Sequence, residues 1–356
     1  MSWDSICYPL KEGGLDIKRI KDWNRAAMAK HIWRFLSYPN SIWSSWIQKS
    51  LLRGKNIWQI RCPSRASWAW RKILACRDWC EGLFVSKIGN GEDTSLWFDI
   101  WLPEGGRIYD RFVARTIAST GLNWTAKVAS IIRGGDWNFP TTPPEFFQVW
   151  NNIRFKPKIH ENDHIVWKGH ATGNFTVDSA WNMVRKKKPI NPLHGLIWYT
   201  GNVPRYAMNL WLASMGRLST MDRPHMANIA DNNQCFFCGV ETESHRHLFL
   251  QCSYSAGVWQ TITSHTTMYW PNLQWEQLLN WAANHYSNRK GFNSILMRHT
   301  IAIAVYFIWK ERNCRVFQGD QKPASVLARE VIMQLRLLLM SYKGPIPDDF
   351  RLKWNI

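Results

Sequence analysis

The sequence predicts a mainly α-helical chain with two small β-hairpins and a Cys3His module flanked by helical segments. Three observations predict it. Apolar side chains recur at helical spacing in several segments, such as Trp43, Trp46, Ile47 and Leu51, or Val331, Leu335, Leu338, Leu339 and Tyr342. Turn residues at Asn90-Gly91 and at Gly169 and Gly173 separate short β-prone runs. Cys235-x2-Cys238-x8-His247-x4-Cys252 brings three of the eight cysteines and a histidine into eighteen residues.

The elements follow in order. Asp22 to about Leu36 reads as a helix, and Asn40 or Ser41 caps the next, which Gly54 ends. A third helix runs from about Ser67 to Glu81, with Cys76 and Cys80 as core thiols. Residues 85–98 form the first predicted hairpin, turning at Asn90-Gly91. Together these make a Trp-rich helical region over residues 1–102. Residues 103–160, punctuated by Gly134-Gly135 and Pro143-Pro144, read as a connector with one or two short helices. The second predicted hairpin pairs His164–Lys168 with Asn174–Val177, and Asp178 or Ser179 caps a helix running into Arg185-Lys186-Lys187-Lys188. That hairpin, a helix near Arg205–Gly216 and the cysteine cluster form a module over 161–265. Residues 266–356 are a helical region, with an apolar helix from Leu296 to Phe317 that turns basic at Lys310, Arg312 and Arg315.

Zinc takes thiolate and imidazole ligands, and its structural sites are four-coordinate, with Cys3His among the usual sets. The spacing therefore predicts one structural Zn2+ held by Cys235, Cys238, His247 and Cys252. Gly239 is free to take a positive φ behind the second thiolate. Glu241–Ser244 reads as a polar loop, and His247–Cys252 as the first turns of a helix. His245 is an alternative to His247, which is preferred because the apolar Leu248-Phe249-Leu250 run follows it.

Lysine and arginine number 45 against 26 acidic residues, a net charge of +19 in 356 residues. That excess exceeds what solubility requires and predicts a polyanionic partner, nucleic acid before membrane. Candidate contacts are Lys186, Lys187, Lys188, Arg217, Arg223 and Arg246. Most of the 24 tryptophans belong to the core, and a minority are available to stack on bases. The cysteines form no disulfide framework, and no signal peptide is visible. The apolar run Thr300–Trp309 is too short to span a bilayer. The expectation is an intracellular protein, nuclear or cytoplasmic, neither secreted nor transmembrane, with no small-molecule substrate.

Several blocks resemble a known family. Trp3-Asp4-Ser5-Ile6-Cys7, Glu12-Gly13-Gly14-Leu15 and Asp22–Ala27 are similar to the segment downstream of the polymerase core in plant non-LTR (LINE-type) retrotransposons. Ile88–Gly91 with Trp97–Leu102 resembles that family's next block. Gly173–Val177 with Trp181, Val203-Pro204-Arg205, Trp211–Ala213, Arg217–Thr220 and the Cys-Cys-His-Cys cluster resemble the reverse-transcriptase zinc-binding domain. Phe307–Phe317 matches the block that follows it. The resemblance implies contact with RNA template or target DNA, and retroelement proteins as further partners. The polyprotein's endonuclease, polymerase aspartates and ribonuclease H are not visible here. Asp348-Asp349 lacks the strand–turn–strand setting that polymerase metals require.

The reading is a non-catalytic, zinc-binding, nucleic-acid-binding accessory region, detached from those catalytic domains. Alternatives are a protein-interaction or structural zinc module, or a degenerate retroelement remnant. Catalysis is disfavoured, because four clustered ligands leave no open zinc position and no nucleophile or phosphate-loop motif appears.

Overall fold

The computed structural model describes residues 2–223, 233–287 and 289–355. Helix accounts for 52% of the chain and strand for 5%, and the strands make two small antiparallel pairs. The chain divides into two units. The first is Lys18–Lys187; the second joins Met1–Ile17 to Lys188–Ile356.

In the first unit, α1 (Ile20–Ser37) buries Ala26, Ala29 and Ile32. The Ser41 hydroxyl accepts from the Ser44 amide at 3.1 Å and opens the next helix, which runs through a π-helical turn to Leu52. Arg53 and Gly54, with φ of 51° and 80°, end it. Ser67 caps α2 (Trp68–Ala75), and a break at Cys76 separates it from a further turn, Arg77–Cys80. Both Cys76 and Cys80 are buried, and burial pushes both thiols up.

The two strand pairs are not the ones the turn residues predict. β1 (Phe84–Lys87) pairs with a strand far along the chain, and β2 (Ile132–Arg133) turns at Gly134-Gly135 into β3 (Asp136–Trp137). The partner of β1 is β4 (His164–Trp167), in register Phe84↔Trp167 and Lys87↔His164. The reason lies in Asp163. Its carboxylate accepts from the amides of Gly89, Gly91, Asp93 and Thr94 and from the Thr94 hydroxyl, at 2.7–3.2 Å. The loop wraps this side chain, so the chain after Lys87 does not fold back as a strand. A Cβ on Gly89 would sit 2.2 Å from the Glu161 carbonyl oxygen, so only glycine fits there.

The helix α3 (Val177–Val184) is capped by Thr176, not by Asp178 or Ser179. Ser179 is the reciprocal partner in a capping box. The same hydroxyl accepts from the indole of the fully buried Trp167 at 2.9 Å. Helices α1 and α3 pack together, with Trp23 and Trp181 in edge contact. A separate aromatic core, including Trp97, Trp101, Phe146 and Trp150, fills residues 88–153.

In the second unit, α4 (Pro204–Ser214), α5 (Ser253–Thr266), α6 (Trp275–Tyr286), α7 (Phe292–Gln318) and α8 (Ala324–Met340) share one core. The helix α7 is central, packing against α4, α6 and α8. Among the described residues it alone is long and apolar enough to cross a membrane, but 78% of its apolar window is buried inside the structure. The Thr300–Trp309 run is the mostly buried middle of this longer helix. On α8, Leu327, Val331, Leu335 and Leu339 recur at i, i+4, i+8 and i+12, and all are buried. Each such side chain contributes about 1.5–3 kcal/mol by leaving water. The segment 2–17 belongs to this unit. The Trp211 indole donates to the Gly13 carbonyl at 3.1 Å, and the Asn191 amide donates to the Lys11 carbonyl at 2.8 Å.

Candidate metal centre

A short antiparallel bridge, Gln234↔Thr242, closes the loop that carries the first two cysteines. Inside it the Cys235 amide donates to the Glu241 carbonyl, and the Gly239 amide to the Cys235 carbonyl, both at 2.8 Å. Gly239 takes φ 68°, the left-handed value that turns the chain behind Cys238. The other two ligand candidates do not share one α-helix. His247–Gln251 is a π-helical turn, and Cys252 breaks from it with ψ 133° to stand immediately before α5. Leu248 and Phe249 anchor that turn; Phe249 stacks on Trp275, and its carbonyl accepts from the Trp259 indole at 2.7 Å.

The result is convergence. The sulfurs of Cys235, Cys238 and Cys252 and one ring nitrogen of His247 all lie within 4.8 Å of one another. The Cys235 and Cys252 sulfurs are 3.8 Å apart, and Cys238 Sγ is 3.3 Å from His247 Nε2. With Zn–S bonds of about 2.3 Å, two sulfurs on a tetrahedron stand about 3.8 Å apart. A disulfide needs about 2.05 Å, and all these cysteines are free thiols. The donor set, its spacing and its burial therefore fit one structural zinc ion, with all four positions supplied by protein.

The surroundings tune the donors. Cys235 Sγ donates to Cys252, which pushes the Cys235 thiol up, with burial adding to the effect. Cys252 is pulled below the ordinary thiol range by the same bond, helped by the Tyr254 and Ser255 amides at the start of α5. The outer nitrogen of His247 lies 3.1 Å from a Glu241 carboxylate oxygen, though not aligned as a hydrogen bond. A carboxylate at that place orients a ligating imidazole.

His245 does not join the cluster. Its Nδ1 lies 3.3 Å from the Thr220 hydroxyl, its Nε2 is buried without a partner, and burial lowers its pKa. Residues 175–259, which contain the whole cluster, match the family described as zinc-binding in reverse transcriptase. This segment is a reverse-transcriptase zinc-binding domain. The chain is 24% identical over 359 residues to an Arabidopsis thaliana protein named as a ribonuclease H protein, covering 90% of this chain and 53% of the relative. It thus spans about half the length of that relative. Over 105 residues it is 25% identical to an uncharacterized mitochondrial protein of Arabidopsis thaliana, covering 29% of this chain and 68% of the relative. No solved structure matches the chain.

Sequence reasoning missed the contacts that hold the zinc-binding domain in place. Glu243, expected in a polar loop, is fully buried against Arg312 of α7. Arg312 Nη2 donates to Glu243 Oε1 at 2.7 Å and Nε at 3.0 Å, and the guanidinium lies over the rings of Trp309 and Phe236. The Met221 amide donates to the same carboxylate oxygen at 3.0 Å. Arg315 donates to Glu311 at 2.9 Å, reaches the Phe236 carbonyl at 3.4 Å, and lies over the rings of Phe237 and Tyr254. The two arginines expected at a basic helix end are therefore buried clamps on the Cys235–Cys238 loop. The available signal was a pair of arginines at i and i+3, just after the apolar Thr300–Trp309 run.

The six candidate nucleic-acid contacts are placed unevenly. Lys186, Lys187 and Lys188 are exposed after α3, and Lys188 Nζ stands 4.1 Å from the Tyr8 ring. Arg217 is exposed. Arg223 donates to the Gly216 carbonyl, and Arg246 is paired with Glu276 at 2.9 Å.

Proposed function

We propose that this chain is a non-catalytic accessory region of a retroelement reverse transcriptase, in which a structural zinc rigidifies a nucleic-acid-binding surface. The observation that carries the reading is the closed Cys3His donor set within a reverse-transcriptase zinc-binding domain. Four protein ligands leave no position for substrate or activated water, so this zinc builds structure and does no chemistry. The net charge of +19 supports a polyanionic partner. In this reading Lys186, Lys187, Lys188 and Arg217 meet phosphates first. Arg223 and Arg246 must exchange an internal partner to do so.

Two measurements test it. Purified protein should contain one zinc per chain by elemental analysis. Binding to single-stranded RNA and to duplex DNA should weaken steeply with salt, in proportion to the phosphates neutralised. Metal-free protein that keeps its fold, or binding that does not change with salt, would overturn the proposal.

A second reading, protein interaction, is favoured by one observation. Met333, Leu337 and Met340 lie at i, i+4 and i+7 on α8, each more than half exposed. A partner-dependent loss of solvent exposure along that stripe, without nucleic-acid binding, would favour it.

A further inference from the structure

A long stretch of exposed, unpaired positive charge lies outside residues 175–259. Residues 23–77 hold eleven lysines and arginines and no aspartate or glutamate. At the chain's mean density, about four carboxylates would fall in such a length. Ten of the eleven cations are exposed. The exception is Arg77, which turns inward and donates to the carbonyls of Ile57 and Ile60. Among the described residues, none of the ten forms an ion pair or donates a side-chain hydrogen bond.

Exposed rings stand among these charges. Tyr38, Trp46 and Trp68 are 61%, 54% and 66% exposed, which is unusual for side chains that bury so much area when they can. Trp68 opens α2, with Arg71 and Lys72 three and four residues on and therefore on its own helix face. Lys72 Nζ stands 5.7 Å from the Trp68 ring centre. The same stretch supplies Tyr38, Gln48 and Lys55 to one side of a cavity of about 820 Å³, which Trp124, Lys127 and the carboxylates Asp93, Asp99 and Asp163 also line, so that it suits an uncharged base and not a phosphate.

Taken together, free cations, exposed aromatic faces and an adjoining recess are the three parts of a single-strand binding surface. Cations follow the phosphates, rings stack on successive bases, and a recess admits a base turned out of the stack. We infer that residues 23–77 form a second nucleic-acid-binding surface, for single strands and without strong sequence preference. This rests on the nucleic-acid reading above but assigns the binding to the first unit. An anionic bilayer shares the charge complementarity. The placement disfavours it, because the exposed rings are spread over three elements instead of lining one helix face, as an interfacial helix requires.

The test is fluorescence anisotropy on the full zinc-loaded chain, with oligo(U) and oligo(dT) strands of about 12 nucleotides, within the span of one such site. The triple variant Arg61→Gln, Arg65→Gln, Lys72→Gln should weaken binding about tenfold and lower the salt slope by about 2. Trp68→Ala should weaken it about 5- to 150-fold with the salt slope unchanged. These positions are exposed, so circular dichroism should match the parent. If both variants bind as the parent does while loss of Lys186, Lys187 and Arg217 weakens binding, this inference falls and the earlier reading stands. If the parent binds no nucleic acid, both fall. If phosphatidylserine vesicles capture the parent and these substitutions abolish that capture alone, the surface is a membrane site and the inference is overturned.

Discussion

Residues 23–77 of the first unit and the metal-binding part of the second use positive charge in opposite ways. In the second unit, Arg246, Arg312, Arg315 and Lys322 each meet a carboxylate, and two of those pairs are buried beside or beneath the metal centre. In the first unit, ten exposed cations of residues 23–77 meet none. Composition alone treats all of them as one excess of +19. The structure separates charge that closes a core from charge left facing water, and only the second kind attracts a polyanion at no structural cost.

The comparison can be broken first at the metal. Chelation, or Cys238→Ser, should remove a contribution on the scale of about 10–16 kcal/mol. Hydrogen exchange should then rise across residues 233–260, while amides of α1 and α2 keep their protection. Equal loss in both units would show that they do not differ as described.

The next largest effect belongs to the buried pair. Arg312→Met leaves Glu243 buried without its counter-charge and should cost about 3–5 kcal/mol in urea denaturation. It should also release zinc more readily to a chelator, because the Cys235–Cys238 loop loses its clamp. A loss below 1 kcal/mol would show that the pair does not hold the loop.

A pH effect distinguishes the second unit further. Burial, aided by Arg298, lowers the pKa of His299 to about 4. The folded pKa lies below the ordinary 6.5, so the unfolded chain binds the extra proton first. Stability from this group is full above pH 6.5 and falls as pH drops toward 4, by about 3 kcal/mol in all. His299→Asn should flatten that portion of the stability profile relative to the parent. An identical slope between pH 6.5 and 4 would remove His299 as its source.

The smallest effect sharpens the contrast. Arg65→Gln, on the open surface of the first unit, should change stability by no more than about 0.5 kcal/mol. A larger loss by thermal denaturation would mean that this charge is structural after all.

How much of this was readable follows from separation along the chain. The four zinc donors fall within eighteen residues, and zinc's fixed coordination number makes their spacing informative. The Ser41 cap is local too, and it is one of the two the sequence offers; the third helix begins after Ser67 as expected but breaks at Cys76. Glu243 and Arg312 are 69 residues apart, and nothing local distinguishes a buried Glu from the solvated Glu241 two positions earlier. The first strand pair failed for the same reason. Asn90-Gly91 carries a hairpin signal, but Asp163, more than seventy residues away, collects the amides that a returning strand would have used. The apolar Leu248-Phe249-Leu250 run already favoured His247 over His245, and in the structure His247 faces Cys238 while His245 faces Thr220.

The bond from Trp211 to the Gly13 carbonyl joins the start of the chain to its later half. One unit is therefore nested within the sequence of the other, between Ile17 and Lys188. On a ribosome the inner unit can finish folding while the outer one still waits for its helices. The opening residues must stay available until α4 emerges to receive them. A nascent chain arrested before that point would carry residues 2–17 without the helix whose Trp211 holds Gly13.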